Sequence, residues 1–220
     1  MSKITNLQDA VAAIPDGAVL MIGGFMGAGT PPDLMNELVR QGKRDLTVIA
    51  NDTARPGVGI GKLIDAKLVK RVIVSHIGTN PETQRQMIAD EIEVELVPQG
   101  TLAERVRAGG FGLGAVVTPT GVGTVVAEGK QTIDIDGRTF LVERPLKADF
   151  ALVNARRADY LGNLEYSFTA RNFNPLMALA AETVIVEAEE VVPVGVISPD
   201  TVVTPSVVVD LLVPKESCHG

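Results

Sequence analysis

Tryptophan is missing from the 220 residues, aromatic side chains make up only 4%, and the chain holds one cysteine, Cys218, and two histidines, His76 and His219. A lone cysteine excludes a disulfide framework within the chain. Three His and Cys side chains, two of them adjacent near the C-terminus, fall short of the four ligands of a structural zinc site, so no metal is expected. Basic residues are also short: 20 Lys and Arg stand against 27 Asp and Glu, a net charge of −7. Without a basic face or stacking rings the chain offers nucleic acid no surface. Long apolar runs are missing too. The uncharged stretches 19–32 and 111–127 are broken by Gly, Pro and Thr, and neither reaches the roughly 20 apolar residues of a membrane span. Behind Met1-Ser2-Lys3, the residues Asn6, Gln8 and Asp9 interrupt any signal-peptide core. The expectation is a cytoplasmic protein with no membrane partner.

What is present is ordinary globular composition, 45% hydrophobic and 21% charged, enough to bury a core. A length of 220 residues lies between one and two domains at roughly 150 residues each. No linker, low-complexity stretch or fixed-period repeat divides it, and a single domain over 1–220 is expected.

Punctuation residues predict alternating helices and strands. Thr5 and Gln8 have capping-box spacing ahead of a first helix with Leu7, Val11 and Ile14 on one face. The apolar run Ala18 to Ile22 reads as a strand covered on both faces. Gly23 to Gly29 follows, then Thr30-Pro31-Pro32-Asp33 opens a helix that Gly42 closes. The same grammar predicts strands at 46–50, 71–75 and 92–97, with helices around 60–68 and from Asn80-Pro81-Glu82. A second capping box, Thr101 to Glu104, is expected to open a helix ending at Gly109-Gly110. Such alternation signals a mostly parallel open sheet flanked by helices. From Ala115 short β-rich runs take over, and Asp136-Gly137 between 132–135 and 139–142 predicts a hairpin insertion. Strands at 150–154 and 183–186, and a helix from Pro175 to Ala181 capped by Asn174, complete an α/β fold.

The local feature richest in chemistry is the strand-loop-helix unit Gly23-Gly24-Phe25-Met26-Gly27-Ala28-Gly29. Glycines let a backbone approach a ligand, and the N–H groups that open a helix suit a phosphate, carboxylate or oxyanion. A tight turn with no ligand explains the glycines equally well. Neither a Walker A loop nor a dinucleotide fingerprint fits, since Gly29 is followed by Thr30-Pro31-Pro32. Further glycine clusters lie at 57–61, 109–114 and 121–123. In a parallel sheet, loops that follow strands gather at its carboxyl edge. Asn51-Asp52-Thr53, His76 and Gln99 all follow predicted strands. A Gln99 amide is able to donate to a developing oxyanion, or is an ordinary loop residue. His76 is a general base or a structural histidine. No nucleophile or acid/base pair stands out, and Glu37, Glu82, Glu91, Glu93, Glu95 and Glu104 read as solvated faces and caps.

Asp16-Gly17, two residues, Leu20-Met21-Ile22, Gly23-Gly24-Phe25, three residues, Gly29, one residue and Pro31 together resemble the signature of the alpha subunit of family I CoA-transferases. The likeness continues through Leu46 to Asp52, Ser75 to Glu82, Pro98 to Arg105, Thr120 to Thr124, Gly162-Asn163-Leu164 and Thr169 to Pro175. It is strongest toward the alpha chains of acetate/acetoacetate-type (3-oxoacid) CoA-transferases. The resemblance implies a half-enzyme that moves CoA between an acyl-CoA and a short-chain carboxylate or 3-oxoacid, with CoA as substrate and no permanently bound cofactor. The nucleophilic glutamate of the family lies in a Ser-Glu-Asn-Gly motif of the beta subunit, and no Glu-Asn-Gly occurs here. An α2β2 assembly with that partner is implied. By the same likeness Gly23, Gly24, Phe25, Met26, Gly27, Ala28 and Gly29 contact CoA or its acyl end, Gln99 supports the oxyanion, and Asn51 lies near the reacting carboxylates. The family often carries Asn-Asn where this chain has Asn51-Asp52. The competing expectation is a non-catalytic sugar-phosphate or acyl-CoA sensor on the same fold, which also houses sugar-phosphate isomerases.

Overall fold

The computed structural model describes residues 3–215; Cys218 and His219 lie outside the described residues. Helix α1 (Leu7–Ala12) leads into β1 (Val19–Ile22), and α2 (Pro32–Gln41), β2 (Leu46–Ile49), α3 (Gly61–Asp65), β3 (Val69–Val74), α4 (Pro81–Ile88), β4 (Glu93–Leu96) and α5 (Gln99–Gly110) follow in strict alternation. An insertion holds β5 (Val116–Thr118), β6 (Thr132–Ile135) and β7 (Arg138–Glu143). The chain then completes the main sheet with β8 (Ala148–Asp159), β9 (Leu164–Glu165), α6 (Asn174–Leu179), β10 (Ala181–Val192) and β11 (Leu211–Pro214).

Seven parallel strands run in the order β11-β10-β8-β1-β2-β3-β4, with β9 antiparallel on β8. The insertion forms a separate antiparallel sheet, β5-β7-β6. Its β6-β7 turn at Asp136-Gly137 takes φ of 50° and 74°, the left-handed pair that matches strand twist in a two-residue hairpin.

Side-chain alternation divides the core into two layers. Leu20, Ile22, Val48, Ala50, Val72 and Val74 face one layer with α1 to α4, while Met21, Ile49 and Ile73 face the other with α5 and α6. Both faces are covered at the middle of the sheet, which is why β1 reads as an unbroken apolar run, while edge strand β4 alternates Glu with apolar residues.

Several helix ends differ from the sequence reading. The cap of α1 is Asn6, which accepts from the Asp9 N–H at 2.7 Å, and not Thr5. Thr101 is no cap either, because α5 starts two residues earlier, at Gln99 behind Pro98. Asn174 lies inside the first turn of α6 and spends its amide elsewhere. Gly42 in the left-handed region and the Asn80 cap stand as expected. Glu37 is buried, held by Arg40 and Gln41, so it is no solvated residue.

Strand β1 lies between β2 on one side and β8 on the other. Chain growth reverses direction there, and an open α/β sheet leaves its crevice at the carboxyl end of such a switch.

Candidate active site

Gly23 to Gly29 leaves β1 at this switch. The Gly23 N–H donates to Leu152 O on β8 at 3.0 Å, and Phe25 and Ala28 exchange a pair of backbone bonds at 2.9 Å, closing a turn at Met26 (φ 53°) and Gly27 (φ 90°). Two asparagines at the entry to α6 clamp the loop from the side. Asn172 Oδ1 accepts from the Gly24 N–H at 3.1 Å while its Nδ2 donates to Ala28 O at 2.9 Å. Asn174 Nδ2 donates to Gly29 O at 2.9 Å and to Ala170 O at 2.8 Å, and its Oδ1 accepts from the Asn154 N–H. A Cβ at Gly23 would sit 1.8 Å from Asn174 Oδ1, and one at Gly24 2.0 Å from Thr30 Oγ1. The glycines are there to admit these neighbours.

Loops after β2, β3 and β4 supply the opposite wall. Asn51 and Asp52 are 2% and 4% exposed. Asp52 Oδ2 accepts from the Met26 N–H at 2.9 Å and from Asn51 Nδ2 at 2.7 Å, and Oδ1 accepts from the Ala54 N–H at 2.6 Å. Gln99, the first residue of α5, donates Nε2–H to Asn51 Oδ1 at 2.8 Å. Ser75 donates both its N–H and its hydroxyl to Asn51 O. Phe25, Met26, Asn51, Asp52, Ser75, His76 and Gln99 line a cavity of about 270 Å³.

Sequence reasoning thus brings together the glycine loop, Asn51, His76 and Gln99. The 57–61 cluster packs against the loop, Gly59 on Gly27 with Val58 beside it, and stays outside the cavity lining. The cluster at 109–114 lies apart from it. Helix α5 runs back across the sheet, so Gly109 and Gly110 end beside Ala148, at the start of β8 and the opposite edge. Gly121 and Gly123 belong to the insertion. Asn172 and Asn174 escape sequence reasoning as loop clamps, although two asparagines flanking Phe173 ahead of a proline are a visible signal. Asp52 accepts three N–H groups, from Met26, Asn51 and Ala54, across its two oxygens.

This cavity can hold a small acyl group between a backbone loop and amide donors, and its one carboxylate is already committed on both oxygens. A second, larger hollow of about 560 Å³ lies between α5 and β5, where Glu104 and Arg107 pair with each other at 2.7 Å. Among the described residues no group of His, Cys, Asp and Glu is placed to hold a metal ion, and no helix is long and apolar enough to cross a membrane.

A family model described as Coenzyme A transferase matches residues 4–215. The chain is 58% identical over 217 residues to the alpha subunit of the acetate CoA-transferase of Escherichia coli K12, covering 98% of this chain and 99% of that one. It is 48% identical to the acetoacetyl-CoA:acetate/butyrate CoA transferase alpha subunit of Clostridium acetobutylicum, over 97% and 98% of the two chains. Among solved structures, an acyl-CoA transferase of Escherichia coli O157:H7 in a thioester complex with CoA superposes with a TM-score of 0.87. That likeness, at 22% identity over 97% of this chain and 47% of that longer one, is one of fold. Both curated relatives are transferase subunits, which favours the catalytic expectation over the sensor. With the family match spanning nearly all of it and two such relatives aligned along at least 97% of its length, the chain belongs to the coenzyme A transferase family, as an alpha subunit.

Proposed function

We propose that this alpha chain, acting as one domain over 1–220, forms one wall of an active site that moves CoA between an acyl-CoA and a short-chain carboxylate or 3-oxoacid of the acetate/acetoacetate type. The observation that carries the reading is the cavity itself. It pairs Phe25 and Met26 of the Gly23 to Gly29 loop with the Asn51 and Gln99 amides, and its lining holds no free carboxylate, because both oxygens of Asp52 are occupied. A carboxylate nucleophile therefore comes from elsewhere, and the names of the relatives support a beta partner.

A glutamate of that partner attacks the thioester carbonyl, forming a C–O bond as the C–S bond breaks and CoA leaves as a thiolate. The thiolate then attacks the glutamyl carbonyl of the anhydride, releasing the first acid and leaving a glutamyl-CoA thioester. The second acid takes CoA by the reverse steps. Each attack puts negative charge on a carbonyl oxygen, and Gln99 has a second Nε2–H to offer it after bonding Asn51. Gly23, Gly24, Phe25, Met26, Gly27, Ala28 and Gly29 hold the acyl end and its pantetheine arm, and Asn51 faces the reacting carboxylates. Splitting one acyl exchange into covalent half-steps is what lowers the barrier. An α2β2 assembly in the cytoplasm is the working state.

The test is CoA exchange between acetoacetate and an acyl-CoA, measured for the chain alone and with a beta subunit bearing Ser-Glu-Asn-Gly. Turnover is expected only with the partner. Comparable turnover by the chain alone overturns the half-enzyme reading.

A further inference from the structure

The polar wall of the cavity is a relay with a direction. Two of its donors admit no ambiguity, because the backbone N–H groups of Met26 and Ala54 point at the two oxygens of Asp52. Position 52 must therefore present an acceptor on both atoms, which a carboxylate does and a carboxamide does not. Facing a carboxylate, the Asn51 side chain has one satisfying orientation: Nδ2 toward Asp52 and Oδ1 away from it. Oδ1 then meets Gln99, 2.8 Å distant, and Gln99 must present Nε2 in turn. An amide can be reversed end for end at little cost wherever its neighbours both donate and accept. Here the carboxylate forbids that, and the choice passes through two amides to the mouth of the cavity.

We propose that Asp52 is a positioning residue for acyl transfer: by accepting only, it fixes the polarity of the Asn51–Gln99 pair so that Gln99 turns a donor toward the substrate. The inference rests on the reading of Gln99 as an oxyanion donor. With asparagine at position 52 the relay loses its direction, and Gln99 presents its carbonyl oxygen for part of the time, a group that repels the developing oxyanion.

The experiment is a double-mutant cycle in the assembled two-subunit enzyme. Gln99→Ala is expected to lower kcat about 10²-fold. Asp52→Asn is expected to lower kcat about 10-fold with KM for acyl-CoA held within about 2-fold, since a small misorientation suffices. In the Gln99→Ala background the Asp52→Asn change should cost almost nothing more, because the path from Asp52 to the substrate is already cut. A full additional loss in that background shows that Asp52 acts only by folding the loop, and overturns the proposal. An unchanged kcat for Gln99→Ala instead fails the reading of Gln99 itself. A second measurement does not depend on the variant folding: in wild-type enzyme labelled with 15N-glutamine, one proton of the Gln99 side-chain amide should exchange slowly with solvent. Fast exchange of both overturns the relay.

Discussion

Two neighbouring loops share one backbone design and differ in everything around it. After β1, Phe25 and Ala28 bridge across a turn, followed by Gly29 and α2; after β2, Arg55 and Val58 bridge across a turn, followed by Gly59 and α3. In the first, Gly23 and Gly24 are buried against Asn174 and Thr30, and α2 is ten residues long. In the second, Gly57 has open space around it, and α3 is only five residues long. The two turns even touch, Gly27 against Val58. A left-handed glycine with open space marks only a turn, whereas the crowding at Gly23 and Gly24 marks a loop held against Asn174 and Thr30; the same crowding at Gly109, against Leu146 O, is helix packing away from the cavity. The first loop lines the cavity with Phe25 and Met26, and the residues of the second turn do not.

The sharpest way to break this comparison is to add one methyl to each loop. Gly23→Ala is expected to cost about 3 kcal/mol in denaturant unfolding, since the Cβ displaces Asn174 and with it two clamping bonds. If it costs no more than the same change at Gly57, the distinction between the loops is wrong.

The next effect concerns the helices behind the loops. Buried Glu187 on β10 accepts from the Asp33 and Leu34 N–H groups at the start of α2, both at 2.9 Å. Desolvation pushes its carboxyl up to about 7, with Asp33 adding to the rise and Lys215 opposing it. The folded chain then holds this proton more tightly than the unfolded chain does, so stability falls as pH climbs from about 4.5 to 7 and levels off above. Relative to Glu187→Gln, the wild type should lose about 2 kcal/mol between pH 5 and pH 7.5. A difference between the two that does not change with pH would sever α2 from its carboxylate anchor.

Smaller effects belong to the second loop. Gly57→Ala at φ 73° should cost about 1 kcal/mol from backbone strain alone, with CoA transfer unchanged. Asp65→Ala, which removes the exposed carboxylate accepting from the Gly57 N–H at 2.7 Å, should cost about 0.5 kcal/mol. Thermal or denaturant unfolding checks both, and a loss of activity in either would draw the second loop into the site.

Much of this architecture is legible in the residues because Gly, Pro and Asn sit at the joints. β1, α2, the Gly42 stop, the Asn80 cap and the Asp136-Gly137 hairpin follow from local chemistry. The two misread capping boxes, at Thr5 and Thr101, share one cause. A Thr three residues before Gln or Glu arises by chance, and at Thr101 the start of α5 is set by Pro98 instead. Strands β8 and β10 run to Asp159 and Val192, well past the predicted 154 and 186. Asn154 and Glu187 end the apolar runs there, yet further along Arg157 and Glu190 pair at 2.8 Å across the two strands as the ladder continues. Within the site, Gln99 and Asn51 are placed by their position after strands. Their mutual bond, the triple acceptor role of Asp52 and the asparagine clamps are mostly contacts between distant stretches of sequence, which no local pattern encodes.

The place of β1 in the sheet sets a timetable for synthesis. Its hydrogen-bonding edge toward β8 has no partner until the ribosome has advanced from Ile22 to Ala148, roughly 6 to 25 s at about 5–20 residues per second. Through that interval the nascent β1-to-β4 half carries an open apolar edge at what will become the middle of the sheet, a template for pairing with another chain. The yield of folded protein therefore depends on protecting a strand that, once β8 arrives, is among the most deeply enclosed in the molecule.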